Sequence, residues 1–117
     1  LPPDAYRTDD RLKEVHYGAW EGLLASEVPG HDPAGLAERN LDPFAWRPDG
    51  GESYADLMQR TDAWLAGVER DTVVASHGGV SRTVRGRVLG LRAAEIMMLD
   101  VPQDVVLVLR DGTASWV

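Results

Sequence analysis

The stretch Thr72-Val73-Val74-Ala75-Ser76-His77-Gly78-Gly79 constrains the fold more than any other. An apolar run passes there through a histidine and a glycine pair into Val80-Ser81-Arg82-Thr83-Val84. Thr72–Ser76 has no polar face and reads as a strand in the interior of a parallel sheet, while Gly79 to Val88 reads as a helix closed by Gly90. The two glycines let backbone N–H groups at the helix N-terminus approach an anion closely. A histidine at such a junction can donate to a phosphate and change charge near neutral pH. Taken alone, the same residues fit equally a core histidine satisfied by a backbone carbonyl and followed by a tight turn.

Two further motifs lie upstream: Leu12-Lys13-Glu14-Val15-His16-Tyr17-Gly18-Ala19-Trp20-Glu21-Gly22 and Gly50-Gly51-Glu52-Ser53-Tyr54. The second opens a helix of period 3.6, with Tyr54, Leu57, Met58, Trp64, Leu65 and Val68 on one face and Asp56, Gln59, Arg60 and Asp62 elsewhere. Ser53 with Asp56 forms a capping box. Glu52 is either a first-turn carboxylate favoured by the helix dipole or a group that orients a site arginine this chain lacks. Between the motifs, residues 23–50 hold Pro29, Pro33, Pro43 and Pro48 and read as an irregular cover segment. It contains one short helix from Pro33 to Arg39, capped by Asp32. Phe44 and Trp46 read as satellite packing under that cover, and His31 as exposed. After a short helix at Ala93–Met98, Val105–Leu109 reads as a strand covered on both faces. Asp111-Gly112 then turns a hairpin into Ala114–Val117.

Composition narrows the class. The chain has 117 residues, 44% hydrophobic and 26% charged, and no apolar run long enough to span a bilayer, so one soluble globular domain over 1–117 is expected. There is no cysteine and hence no disulfide framework, and Leu1-Pro2-Pro3-Asp4 lacks the character of a signal peptide, so the expected location is cytoplasmic. A net charge of −7 argues against a nucleic-acid or anionic-membrane surface. Arg82, Arg85, Arg87 and Arg92 follow the His77 turn; they read mostly as a solvated helix face, with Arg82 near enough to the turn to add positive potential.

The three motifs, in this order, resemble the histidine phosphatase superfamily, also called phosphoglycerate mutase-like, from about Arg11 onward. The resemblance implies an α/β fold of three layers, αβα, with a mostly parallel sheet, and phosphomonoester hydrolysis through a phosphohistidine. One departure is severe. The family begins with a strand ending in Arg-His-Gly, whose histidine is the nucleophile, and no Arg-His pair exists in this sequence. The chain therefore resembles the C-terminal portion of such an enzyme, incomplete at its N-terminus, with the nucleophile outside it and no activity expected from these residues alone.

Phosphate transfer needs a nucleophile, donors to the three equatorial oxygens and an acid for the leaving alcohol. By the resemblance, His77 contacts the phosphoryl group, Gly78 shapes the turn, and Glu14 is the general acid, holding a proton that a neighbouring phosphate dianion favours. Tyr17 and Arg82 are the substrate- and phosphate-binding candidates. Without the resemblance, Glu14 reads as a solvent-facing loop residue and Tyr17 as core. His16 reads as a second-layer or surface group and Trp20 as packing.

A small phosphorylated metabolite is the implied substrate, with no cofactor. No metal is expected either, since His16, His31 and His77 show no metal-binding spacing. Phosphatase is favoured over mutase because Val15 follows Glu14, where a mutase has arginine, and the stretch from Gly22 to Gly51 holds only Arg39 and Arg47, far apart. The competing class is a non-catalytic phosphate-binding or interaction module of the same family. A missing first strand would leave Thr72–Ser76 with an unpaired edge, to be filled by a separate N-terminal segment or by a second copy in a homodimer.

Overall fold

The computed structural model describes Pro2 and Asp4 to Val117. Its centre is a pair of helices, α3 (Tyr54–Ala66) and α4 (Gly78–Leu89), preceded by α1 (Val28–His31) and α2 (Pro33–Leu41) and followed by α5 (Ala93–Met97). A hairpin of β1 (Leu107–Arg110) and β2 (Thr113–Trp116) ends the chain and makes the fold α/β. No helix among the described residues is long and apolar enough to cross a membrane.

Local chemistry explains the helix ends. At the start of α3 the Ser53 Oγ accepts from the Asp56 N–H at 3.0 Å and the Asp56 carboxylate accepts from the Ser53 N–H at 2.8 Å, the reciprocal box expected. At the end of α4, Gly90 takes the left-handed conformation (φ 67°). The Leu91 N–H then reaches the Gly86 carbonyl at 2.8 Å and the Gly90 N–H reaches Arg87 at 3.3 Å, closing a Schellman turn. Asp32 caps α2 through the Gly35 N–H, and α2 runs two residues beyond the expected Arg39. The one-turn α1, over Val-Pro-Gly-His, was not expected, since proline and glycine adjoin there in a segment read as irregular.

Helices α3 and α4 pack through Tyr54, Leu57, Val80 and Val84, with Val15 from the upstream motif completing the core. Inside this contact Thr61 Oγ1 lies 2.9 Å from Thr83 Oγ1, both residues fully buried. Gly86 admits α5: a Cβ there would lie 2.5 Å from two carbons of Ile96, itself fully buried.

Three expectations need correction. Thr72–Ser76 forms no ladder, and these residues are exposed, Val73 completely. A strand exists only with a hydrogen-bonding neighbour, and the sheet among the described residues is the antiparallel pair β1–β2. That hairpin turns as expected, on Asp111 and Gly112 at φ 51° and 73°. The strand expected at Val105–Leu109 begins only at Leu107, leaving Val105 and Val106 exposed rather than covered on both faces. Arg85 does not lie on a solvated face. It is 5% exposed, donates to the Asp100 carbonyl at 2.6 Å and lies over the Trp116 ring at 5.1 Å, a packing that β2 creates and helical periodicity does not reveal.

Candidate functional site

The N-terminus of α4 forms one wall of a cleft of about 440 Å³ lined by Leu12, Glu14, Ser76, His77, Gly78 and Ser81, with apolar residues behind them. Of the five residues singled out from the sequence, Glu14, His77 and Gly78 share this cleft; Tyr17 and Arg82 do not line it.

His77 is the N-cap residue of α4, with extended backbone (φ −133°, ψ 167°). Its carbonyl accepts from the Ser81 N–H at 2.9 Å, and its exposed imidazole makes no capping bond. One residue before, Ser76 Oγ donates to the Leu12 carbonyl at 2.6 Å, tying the junction to the loop that carries Glu14. The Glu14 carboxylate accepts from the Val15 N–H at 2.9 Å through one oxygen and from the Gly79 N–H at 3.2 Å through the other. One of its two oxygens thus occupies an N–H at the start of α4 that has no partner within the helix.

Gly79, read from the sequence only as one of two glycines that let an anion approach the helix start, is the one this arrangement needs. A Cβ on Gly79 would run into the Glu14 carboxylate, whereas a Cβ on Gly78 would meet Val101 at an ordinary 3.6 Å and Arg82 Nη1 at 3.9 Å.

Arg82 donates through Nε to the Leu99 carbonyl at 2.9 Å and through Nη1 to the Tyr54 hydroxyl at 3.2 Å, bracing the chain after α5 against α3. Tyr17 precedes the short 3₁₀ turn Gly18–Trp20, its N–H donating to Glu21 at 2.7 Å. Partial burial, reinforced by the neighbouring Tyr54 and Glu14, pushes its phenol up to about 12. His16 is exposed, with Nδ1 accepting from the Gly18 N–H at 3.1 Å, and His31 is exposed as expected. Trp20 donates to Asp32 at 3.0 Å and packs on Trp46 with ring centroids 4.3 Å apart, which fastens the cover segment to the loop.

Glu52 takes neither of the two roles open to it: it precedes the N-cap Ser53, and its partner is an arginine of this chain, Arg60, which does not line the cleft. Both its oxygens accept from Arg60, at 2.6 and 3.2 Å, and one also accepts from the His16 N–H at 3.0 Å. Burial pushes its carboxyl up, but the bonds from Arg60 and His16 outweigh that and hold it below the ordinary 4.5. Glu52 lies just before the N-cap of α3 and Arg60 eight positions on, within the helix, a spacing that carries no signature in sequence.

The family model for the histidine phosphatase superfamily (branch 1) matches residues 3–116. A glucosyl-3-phosphoglycerate phosphatase of Mycolicibacterium vanbaalenii is 37% identical over 123 residues, covering 93% of this chain and 49% of that protein. A 6-phosphofructo-2-kinase/fructose-2,6-bisphosphatase 4 of Rattus norvegicus is 33% identical over 100 residues, covering 84% of this chain and 21% of that protein. The chain thus spans half or less of the length of these curated relatives. Among solved structures, the alpha-ribazole phosphatase of Shigella flexneri shares the fold, with a TM-score of 0.77 at 20% identity over 94% of this chain and 58% of that one. A mycobacterial glucosyl-3-phosphoglycerate phosphatase in complex with inorganic phosphate superposes with a TM-score of 0.66 at 29% identity, over 80% and 51%.

Proposed function

We propose that this chain, which belongs to the histidine phosphatase superfamily, supplies the acid and one phosphate donor of a phosphomonoester hydrolase whose nucleophilic histidine lies outside residues 1–117. The observation that carries the proposal is the convergence of Glu14 and His77 on one cleft at the start of α4. In this reading the phosphoryl group moves to the external histidine, His77 donates to its oxygens, and Glu14 protonates the departing alcohol. Gly78 contributes backbone to the turn. Tyr17 and Arg82 belong to the substrate side, Arg82 through positive potential one helical turn from Gly78. The names of the relatives support a small phosphorylated metabolite as substrate, with a glycosylated phosphoglycerate the first to try.

The reading also completes the fold. A strand bearing the nucleophile pairs with the exposed Thr72–Ser76, giving the three-layer αβα domain with a mostly parallel sheet of which residues 1–117 are the C-terminal part and 23–50 the cover. The pairing strand comes from an N-terminal segment or, in a homodimer, from a second copy. The complete protein works in the cytoplasm without a metal.

The test compares p-nitrophenyl phosphate hydrolysis by the complete protein and by residues 1–117, with and without EDTA. The complete protein is expected to turn over in EDTA and the 117-residue chain to stay at background. Turnover by residues 1–117 alone would make His77 the nucleophile. A complete protein that binds phosphate without turnover, and carries no Arg-His strand, would be a binding module instead.

A further inference from the structure

Two side chains outside the cleft hold the main chain that carries Glu14. Arg60 Nη1 donates to the Arg11 carbonyl at 2.8 Å, and Nη2 donates to the Glu14 carbonyl at 3.0 Å while pairing with Glu52 at 2.6 Å. Glu52 then grips His16 twice: its carboxylate accepts the His16 N–H at 3.0 Å, and its own N–H donates to the His16 carbonyl at 2.8 Å. Backbone at residues 11, 14 and 16 is thereby fixed to the middle of α3 and to the residue before its N-cap, on both sides of Val15, whose side chain is 4% exposed in the core. The planar fork of a guanidinium suits this task, since it reaches a carboxylate with two parallel bonds and still has N–H groups aimed elsewhere. Both charged side chains are only about one-fifth exposed, 22% and 21%, so solvent competes weakly for these donors.

We propose that the Glu52–Arg60 pair is a positioning device for the Glu14 carboxyl, setting the direction from which it reaches the leaving group; this rests on Glu14 being the general acid. With residues 11, 14 and 16 anchored, the Glu14 side chain has a short span to cross to Gly79 and little freedom to swing out of the cleft. Neither Glu52 nor Arg60 touches the reacting atoms. Their loss leaves the acid present but misdirected, and misplacement of a catalytic group by about an ångström costs on the order of 10²-fold.

The experiment uses the complete protein and two esters, an alkyl phosphate and p-nitrophenyl phosphate, since only the alkyl leaving group depends on the acid. Arg60→Met is expected to lower kcat for the alkyl ester by roughly 10- to 10²-fold while the aryl ester slows by less than about threefold and KM is unchanged. Arg60→Lys keeps the charge beside Glu52 but cannot reach all the acceptors, and it should fold normally and shift the alkyl-to-aryl ratio part of the way. In a Glu14→Gln background Arg60→Met should leave that ratio where Glu14→Gln put it. Equal slowing of both esters by the Arg60 variants, with Glu14→Gln still selective against the alkyl ester, would reduce the pair to a structural contact and overturn the inference alone. Equal slowing by Glu14→Gln would overturn the general-acid reading and this inference together.

Discussion

Glu14 and Gly79 are joined by a 3.2 Å hydrogen bond across 65 residues of sequence. That bond brings the loop of the first motif onto the helix start of the last, and a methyl at residue 79 would meet the other oxygen of the same carboxylate. The second glycine of the pair is therefore the one whose identity the cleft requires.

Gly79→Ala should cost more than Gly78→Ala in both stability and activity. The added methyl at 79 meets the Glu14 carboxylate and lies 3.1 Å from Leu57 Cδ2 in the core, so either Glu14 leaves the cleft or α4 shifts. Overpacking of this kind typically costs about 1–3 kcal/mol. At 78 the methyl has room against Val101, and its effect should be small on stability. Thermal melts of the two variants, with alkyl-ester turnover in the complete protein, check the order; a larger loss at 78 would contradict the assignment.

The Thr61–Thr83 contact between α3 and α4 makes a double-mutant prediction. Thr83 Oγ1 lies 3.1 Å from the Val80 carbonyl and Thr61 Oγ1 lies 3.2 Å from that of Met58, so each hydroxyl has a local acceptor as well as its partner. Thr61→Val should destabilise by about 1 kcal/mol. Thr61→Val with Thr83→Val should cost less than the sum of the singles, because replacing both hydroxyls by methyls leaves no half-satisfied polar pair in the core. Denaturant melts of the four proteins measure it, and strict additivity would mean that the two hydroxyls are independent.

What sequence revealed was what neighbours in sequence decide. Ser53 with Asp56, Asp32 before Pro33, Gly90 after α4 and Asp111-Gly112 in the hairpin are each settled within a few residues, and each stands where its local chemistry places it. Glu14, His77 and Gly78 were legible as a set only through the resemblance, since nothing in their spacing says that residues 14 and 77 meet. Arg60 was set aside as a polar residue off the apolar face, because its acceptors are 46 and 49 residues away. Thr72–Ser76 has the composition of a buried strand, but composition cannot supply the neighbour that makes a strand. Arg85 was misread for the converse reason: the ring that covers it arrives from the last strand of the chain.

Acid should loosen the Glu14 loop through Glu52. Its folded carboxyl titrates below the ordinary 4.5, so between those two values the unfolded chain binds more protons than the native one. The stability contributed by Glu52 is therefore complete above about 4.5 and is lost as pH falls through the lowered folded value. Glu52→Gln should lower Tm at neutral pH and flatten the decline of Tm below pH 4.5, since the titrating group is gone. Melts of both proteins across the acid range give the answer, and a Glu52→Gln protein that declines as steeply as the parent would place the acid sensitivity elsewhere, first at Asp56, whose bonds from Ser53 and Arg47 also hold it low.

His77→Ala separates chemistry from structure at the same junction. The imidazole is exposed and makes no capping bond, so its removal should change stability by less than about 0.5 kcal/mol, the usual range for a surface substitution. As a donor to the phosphoryl oxygens it acts on the transferring group and not on the leaving alcohol. Its loss in the complete protein should slow alkyl and aryl phosphates by similar factors, on the order of 10²-fold, the scale for removing one donor to developing negative charge. Glu14→Gln should instead spare the aryl ester, because a leaving group of low pKa needs little protonation. The two variants, each assayed on both esters beside a thermal melt, therefore give distinct patterns. A His77→Ala protein that is selectively slow on the alkyl ester would exchange the two roles, making His77 the proton donor and leaving Glu14 as an anchor for the start of α4.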